Sequence, residues 1–332
     1  MTLPLPVRLL LWPLSALYGA VTQFRVWLYA NGIFKPKRLN RPVISVGNLT
    51  VGGTGKTPMV IWLAERFLAE GRRVGILSRG YKGSAGTSDE IELMKFRLQN
   101  RALFGVGTNR FAQGKELEPY VDLFLLDDGF QHLQLARDLN ILLIDASQPL
   151  ARQTLLPTGR LREPCSAMVR ADLLVFTRVE TVPGTGAAIE KFQNYPVFSA
   201  ATRLLGFRRL GAAEGITPAE QIRLRPFYGF CGIGNPRAFY QDLKNWDVPL
   251  AGQCEFPDHH RYDSRDIAEL ETAARAAGAQ ALLTTEKDAM NLGATNFGEF
   301  PLYIAVIDLL IAKEAAILSL LREKLQATGP AA

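Results

Sequence analysis

The chain has few of the residues that mark the commonest metal and disulfide folds. It has three cysteines, Cys165, Cys231 and Cys254, far apart and with no C-x-x-C. Any pairing leaves one over, so no disulfide framework is expected and a reducing cytosolic setting is. It has three histidines, His132, His259 and His260. No block of like charge and no low-complexity tract occurs, and charged residues make up 21% against 48% apolar. Wholesale disorder and a polytopic membrane protein are both excluded by that balance. What is present in excess is positive charge, +6 overall with a pI near 9.3, which favours anionic partners without choosing among nucleic acid, anionic lipid and phosphorylated substrates. The basic residues are dispersed and no aromatic-basic stacking motif stands out, so nucleic acid is not an expected partner.

At 332 residues two domains are expected. The amino terminus is unusual: residues 9–24 carry no charge, and no small-residue cleavage site follows, which excludes a signal peptide. The uncharged run is shorter than the roughly 20 residues of a membrane-crossing helix. Pro13 suits a helix start, after which Leu14, Leu17, Tyr18, Val21, Phe24 and Leu28 share one face, with Ser15, Gly19, Thr22 and Gln23 elsewhere. Such a helix lies in a membrane interface, spans the membrane or packs on the protein's own core; the interface is favoured, with Lys35, Lys37, Arg38 and Arg41 beside it.

Beyond the helix the pattern is α/β. Residues 42–46 read as a strand, 50–57 as a glycine-rich loop and 56–70 as a helix with Met59, Val60, Leu63, Phe67 and Leu68 at helical spacing before Gly71. Further strands are expected at 74–77, 121–126, 140–144 and 173–176, giving a parallel sheet. A connection rich in Arg and Gly is expected over 202–225. Strands at 227–231, 280–284 and 302–306 then alternate with helices at 236–246, 265–277 and 312–325. The expected organisation is a membrane-associated helix at 1–34, a P-loop domain at 35–201, a linker at 202–225 and a smaller α/β domain at 226–326.

The loop Thr50, Val51, Gly52, Gly53, Thr54, Gly55, Lys56 and Thr57 reads TVGGTGKT. In a P-loop the backbone N–H groups wrap phosphates, the lysine neutralises β/γ oxygens and the Ser/Thr hydroxyl joins the magnesium shell. ATP and Mg²⁺ are therefore the expected cofactors. The first glycine of the pattern is here Thr50. At the end of the apolar run 121–126, Asp127 and Asp128 stand where a carboxylate reaches magnesium directly or through water. A histidine paired with a carboxylate, as in Asp258-His259-His260, can deprotonate an attacking hydroxyl, although capping or metal binding by that cluster is an alternative.

Eight ordered motifs, VGNLTVGGTGKTP, LSRGYKG, SDE, LLDDGFQH, LPTGRLREP, FCGIGNP, FPDHH and TTEKDA, together resemble the tetraacyldisaccharide 4′-kinase family of the lipid A pathway. The resemblance spans residues 46–289. It implies ATP-dependent phosphorylation of the 4′-hydroxyl of a tetraacyldisaccharide 1-phosphate at the cytoplasmic face of the bacterial inner membrane. It implies Asp89 as catalytic aspartate with His259 as its partner, Thr57, Asp127, Asp128 and Glu90 around magnesium, and Arg162 and Glu163 at the substrate. Ile91 departs from the family, which has proline after Asp-Glu, as do Thr87 and Ser88 before it. On the expected boundaries Asp89 and His259 lie in different domains and would meet only in a cleft between them. The competing reading is a membrane-associated switch ATPase with a deviant P-loop, against which Val51 stands where those proteins carry a signature lysine.

Overall fold

The computed structural model describes residues 4–80, 88–150, 153–181, 189–211, 215–222, 226–292 and 300–328. Tyr81, Lys82, Gly83 and Thr87 of the motif region, and Arg225, lie outside them. The chain divides into two compact units: unit 1 is Met1–Tyr81, Leu98–Ala201 and Leu310–Ala332, and unit 2 is Lys82–Arg97 and Thr202–Leu309.

Unit 1 opens with α1 (Leu5–Ala30). The helix begins well before Pro13, which lies inside it, because Pro4 and Pro6 occupy its cap and first turn, where a missing N–H costs nothing. Its burial is the reverse of a core helix. Ser15 and Gly19 are the buried residues, whereas Leu10 is 78% and Leu17 62% exposed, with Leu14, Val21, Phe24 and Trp27 also outward. The Ser15 hydroxyl donates to Thr158 Oγ1 at 2.9 Å, and Tyr18 Oη to the Arg162 carbonyl at 2.9 Å. A Cβ on Gly19 would stand 2.7 Å from Leu155. The small polar face thus packs on the protein and the apolar face is left open, which rules out packing on the protein's own core. An exposed apolar face of this extent marks a membrane or partner surface.

The rest of unit 1 is a parallel sheet with strand order β3-β2-β4-β1-β5-β6-β7. Its strands are β1 (Val43–Asn48), β2 (Val74–Ser78), β3 (Leu103–Val106), β4 (Leu123–Asp127), β5 (Leu139–Asp145), β6 (Leu173–Thr177) and the first residues of β7 (Val197–Arg209). β1, β2, β4, β5 and β6 are buried along their whole length, as unbroken apolar runs covered on both faces should be. Covering helices are α2 (Lys56–Ala69), with Trp62, Leu63 and Phe67 fully buried, α4 (Arg110–Leu117) and α8 (Glu314–Thr328). Arg66 Nε donates to Glu314 Oε1 at 2.7 Å, tying α8 to α2. From β1 the chain runs out to β2 and β3, returns to β4 and then crosses β1 to β5. The carboxyl end of β1 is therefore a topological switch point, where open α/β sheets bind ligands.

Unit 2 has the order β7-β11-β10-β8-β9, with β8 (Phe227–Cys231), β9 (Leu250–Glu255), β10 (Ala281–Thr285) and β11 (Leu302–Ile311). β8, β9, β10 and β11 pair in parallel, so the carboxyl ends of β8, β9 and β10 share one edge. Its helices are α3 (Asp89–Arg97), α5 (Pro236–Asn245), α6 (Ser264–Ala276) and the short α7 (Glu286–Ala289). Phe207, Phe227, Phe230 and Leu282 are fully buried at its core.

The units differ from the boundaries expected at 35–201, 202–225 and 226–326. Residues 202–209 continue strand β7 instead of forming a linker; their mixed burial, with Gly206 and Phe207 adjacent and both buried, gives the stretch no clean period of two. α3 belongs to unit 2, held by Arg97, whose Nη1 donates to both Glu286 oxygens at 3.0 and 2.9 Å and to the Ile307 carbonyl at 2.9 Å. The carboxy-terminal helix belongs to unit 1.

Candidate active site

In unit 1 the P-loop follows β1 and opens α2. At Thr50 the chain is still extended, bridging Leu161 in antiparallel fashion, with Val51 N–H on the Arg160 carbonyl at 2.8 Å and Arg162 N–H on that of Leu49 at 2.7 Å. Threonine therefore fits where the usual pattern has glycine: no positive φ is needed until Gly52 at +106°. The Arg160 guanidinium lies against that turn, donating through Nη2 to the Val51 carbonyl at 2.8 Å, and a Cβ on Gly52 would stand 2.1 Å from the same nitrogen. Gly55 (φ +85°) caps α2, and the Thr177 hydroxyl at the end of β6 donates to the Thr54 carbonyl at 3.1 Å.

Val46 is in register with Asp127, which sets β4's terminal carboxylates beside the strand that feeds the loop. Asp127 is buried and accepts from Ser78 Oγ at 3.1 Å. Asp128 is left-handed (φ +48°), a conformation Asp tolerates better than most side chains and one that turns its carboxylate aside from the strand. Arg162 Nη1 donates to both its oxygens, at 2.9 and 2.7 Å, and Lys56 Nζ stands 3.5 Å away. Burial pushes the Asp128 carboxyl up, but Lys56 and Arg162 pull harder and hold it below the ordinary carboxylate range.

The residues fit a nucleotide triphosphate with its magnesium. Thr57 is the second residue of α2, Lys56 is at its start, and Gly53 faces open space. Thr54 Oγ1 and Asn48 Nδ2 are buried with no protein partner among the described residues, as donors waiting for an anion would be. Among the described residues no cluster of three or more His, Cys, Asp or Glu stands ready to hold a metal by itself. A P-loop does not need one, since phosphate oxygens, the Thr hydroxyl and retained waters can complete a magnesium shell. Thr57, Asp127 and Asp128 belong to this group; Glu90 belongs to unit 2. Glu163 is buried and ion-paired to Arg170, and burial raises its carboxyl.

His132, which follows Asp127-Asp128 in the same motif, receives Arg110 Nη1 at 3.1 Å on Nδ1. Burial, then Arg110, Arg137, Arg25 and Arg79, push its imidazole down to about 4, so it is a neutral acceptor at physiological pH.

In unit 2 the turn after β9 and the segment after β10 converge on the start of α3. His259 is left-handed (φ +63°), its N–H on the Gly232 carbonyl at 3.0 Å. Its Nδ1 lies 2.9 Å from Asp89 Oδ2 and 3.1 Å from Oδ1. An ionised carboxylate can only accept, so Nδ1 carries the proton and Nε2 of the neutral ring is the acceptor. The Asp89 side chain is 2% exposed and that of His259 41%. The carboxylate thus sits behind and the imidazole faces outward. Asn291 Nδ2 donates to Asp89 Oδ2 at 3.1 Å, and the Glu90 N–H to Oδ1 at 2.9 Å. Both members of the pair belong to one unit, so the expectation that they meet only between two domains is corrected: α3 is part of the unit that carries His259.

Sequence reasoning missed Lys287, Asn291 and Asp288. Lys287 Nζ donates to Asp258 Oδ1 at 3.2 Å and lies 3.8 Å from both Asp89 and Glu90. Burial pushes its ammonium down, but Glu90, Asp89 and Asp258 together lift it above the ordinary lysine range. Asp288, fully buried, accepts from Gly232 N–H, Tyr262 Oη and Thr285 Oγ1 at 2.8, 2.8 and 2.6 Å. Lys287 and Asp288 lie in the motif TTEKDA, residues 284–289, and Asn291 just beyond it.

The family model described as tetraacyldisaccharide-1-P 4′-kinase matches residues 7–326, both units included. The chain belongs to this kinase family. Among its relatives, the tetraacyldisaccharide 4′-kinase of Geobacter metallireducens is 42% identical over 91% of this chain and 94% of its own length. That of Pelobacter propionicus is 40% identical over 96% and 92%. The crystal structure of Aquifex aeolicus LpxK in complex with ATP covers 96% of this chain and 99% of its own, with a TM-score of 0.77 and 34% identity. A kinase family that accounts for unit 2 as well as the P-loop leaves the switch-ATPase reading without support.

Proposed function

We propose that this chain transfers the γ-phosphoryl group of ATP to the 4′-hydroxyl of a tetraacyldisaccharide 1-phosphate, a lipid A precursor, at the cytoplasmic face of the bacterial inner membrane. The observation that carries the reading beyond family membership is the Asp89–His259 pair at 2.9 Å, buried carboxylate behind exposed imidazole. Phosphoryl transfer asks the protein mainly to position groups and neutralise charge. The loop Thr50 to Thr57 binds the nucleotide phosphates through its N–H groups, and Lys56 moves from Asp128 to the β/γ oxygens. Thr57, Asp127 and Asp128 would hold magnesium, which would supply charge neutralisation on the phosphates.

His259 Nε2 accepts the proton of the attacking hydroxyl, while Asp89 holds the ring in the right tautomer and stabilises the imidazolium that forms. Arg162 and Glu163 contribute to acceptor binding, Arg162 through a guanidinium suited to phosphate or sugar oxygens. The open apolar face of α1 rests in the bilayer interface, where a four-chain acceptor stays; the helix is long and apolar enough to cross a membrane by length and composition. Incubating the purified chain with γ-labelled ATP, magnesium and tetraacyldisaccharide 1-phosphate in detergent tests the reading. Label in the lipid supports it, whereas label only in free phosphate, with no dependence on the acceptor, contradicts it.

A further inference from the structure

We infer that Lys287 is a positioning residue for the transfer reaction, a third member of the Asp89–His259 pair that holds both segments of the pair in register. The inference rests on the reading of Asp89 and His259 given above. Three carboxylates face its ammonium within unit 2: Asp258 Oδ1 at 3.2 Å, Asp89 Oδ2 at 3.8 Å and Glu90 Oε1 at 3.8 Å. Two of them flank the imidazole: Asp89 is on Nδ1, and Asp258 Oδ2 is 3.8 Å from Nε2. One cation therefore bridges the amino end of α3 to the turn after β9, the two segments whose meeting makes the pair. Without it the three carboxylates would face one another with less compensation, and Asp89 would lose the lysine ammonium paired to it.

The lysine cannot swing away easily, because both neighbours in sequence are pinned. Glu286 accepts from Arg97 of α3, and Asp288 is fully buried on Gly232, Tyr262 and Thr285. Asp288 fixes Gly232, whose carbonyl receives the His259 N–H. In the segment 286–291, Lys287 and Asn291 thus contact Asp89 directly, while Glu286 acts through Arg97 of α3 and Asp288 through Gly232. Lysine at the centre of this segment differs from a surface ion pair in that its partners are the groups that set the ring's orientation. Such a residue acts on turnover and not on nucleotide binding, and it acts only while the imidazole is there to be oriented.

The test uses the full-length chain in detergent with magnesium, ATP and the lipid acceptor. Lys287→Met, Lys287→Arg, His259→Ala and the double variant Lys287→Met/His259→Ala are compared by kcat and by KM for each substrate. Lys287→Met is expected to lower kcat by roughly 10- to 100-fold, a fraction of what losing the base costs, with both KM values within about threefold of the parent. Lys287→Arg, which keeps the charge, returns kcat to within about fivefold. In the His259→Ala background Lys287→Met costs less than about twofold more, because residues acting as a unit are not additive. A merely structural lysine would cost the same factor in both backgrounds, and that outcome overturns the inference, as does unchanged kcat in Lys287→Met beside a crippled His259→Ala. Near-normal turnover by His259→Ala overturns the pair itself and the role of Lys287 with it.

Discussion

The P-loop of unit 1 and the carboxylate–histidine site of unit 2 solve the problem of placing charge in opposite ways. The P-loop is made of consecutive residues whose geometry is written largely locally, by glycines at positive φ and a helix amino terminus, with Arg160 and Thr177 bracing it from farther along the chain. The site in unit 2 joins residues 170 positions apart, so it exists only when β8, β9, β10 and α3 are all packed. One depends on backbone conformation, the other on a buried network around Asp288 and Arg97. Substitutions should therefore act on the first through phosphate binding and on the second through the packing that assembles it.

The sharpest way to break that contrast is Arg97→Met. It leaves Glu286 buried without the guanidinium hydrogen-bonded to it, and losing one partner of a buried pair costs about 3–5 kcal/mol. Hydrogen exchange over residues 89–97 should accelerate and phosphoryl transfer should fall, while ATP affinity stays within about threefold. A matching loss of ATP affinity would show that the two sites are not separable in this way. Lys56→Ala comes next. It removes the phosphate-neutralising charge and should lower transfer by about 100-fold or more, with exchange over residues 89–97 unchanged.

Legibility in the sequence followed the same division. Local features were readable: β8 lies at 227–231 as expected, α2 and the other expected strands differ by a few residues at their ends, and the P-loop, Asp127 and Asp128 stand where glycine spacing and an apolar strand put them. Non-local features were not. Nothing near Asp89 marks it as belonging to unit 2, because the tether that puts it there is Arg97 on Glu286. Strand β7 hid in an arginine- and glycine-rich stretch, since a strand with mixed burial lacks a clean period of two. The pair of Asp89 and His259 was available only through resemblance, and Lys287 was invisible because a lysine's partners come from packing. The face of α1 was readable as a stripe, but which face is open needed Ser15, Tyr18 and Gly19 against residues 155–162.

That face gives a smaller effect. Replacing Leu10, Leu14 and Leu17 by Glu should reduce partitioning onto anionic vesicles by about 10-fold or more, each buried apolar side chain contributing roughly 1.5–3 kcal/mol when fully inserted. ATP binding should be unchanged, since these side chains face away from the protein; sedimentation with vesicles and nucleotide titration check both.

The smallest effect is a pH dependence confined to unit 1. His132 is held at about 4, below its unfolded value, so the unfolded chain takes up more protons between pH 6.5 and 4. Stability is fully present above that window and falls as pH is lowered through it, by at most about 1.4 kcal/mol per pH unit. Urea titrations at pH 7 and pH 5 should show a larger loss for the parent chain than for His132→Gln, whose amide oxygen still accepts from Arg110. Equal losses would mean that His132 does not titrate in this environment.

Single-turnover transfer from γ-labelled ATP to tetraacyldisaccharide 1-phosphate, measured for Asp89→Ala, His259→Ala and the double variant, decides whether unit 2 holds a working pair. Each single variant should be slower by roughly 10²–10⁴-fold, the range for losing a general base, with ATP affinity little changed, and the double variant should be scarcely slower than the worse single one. Losses that multiply in full, or a crippled His260→Ala beside an active His259→Ala, would contradict it.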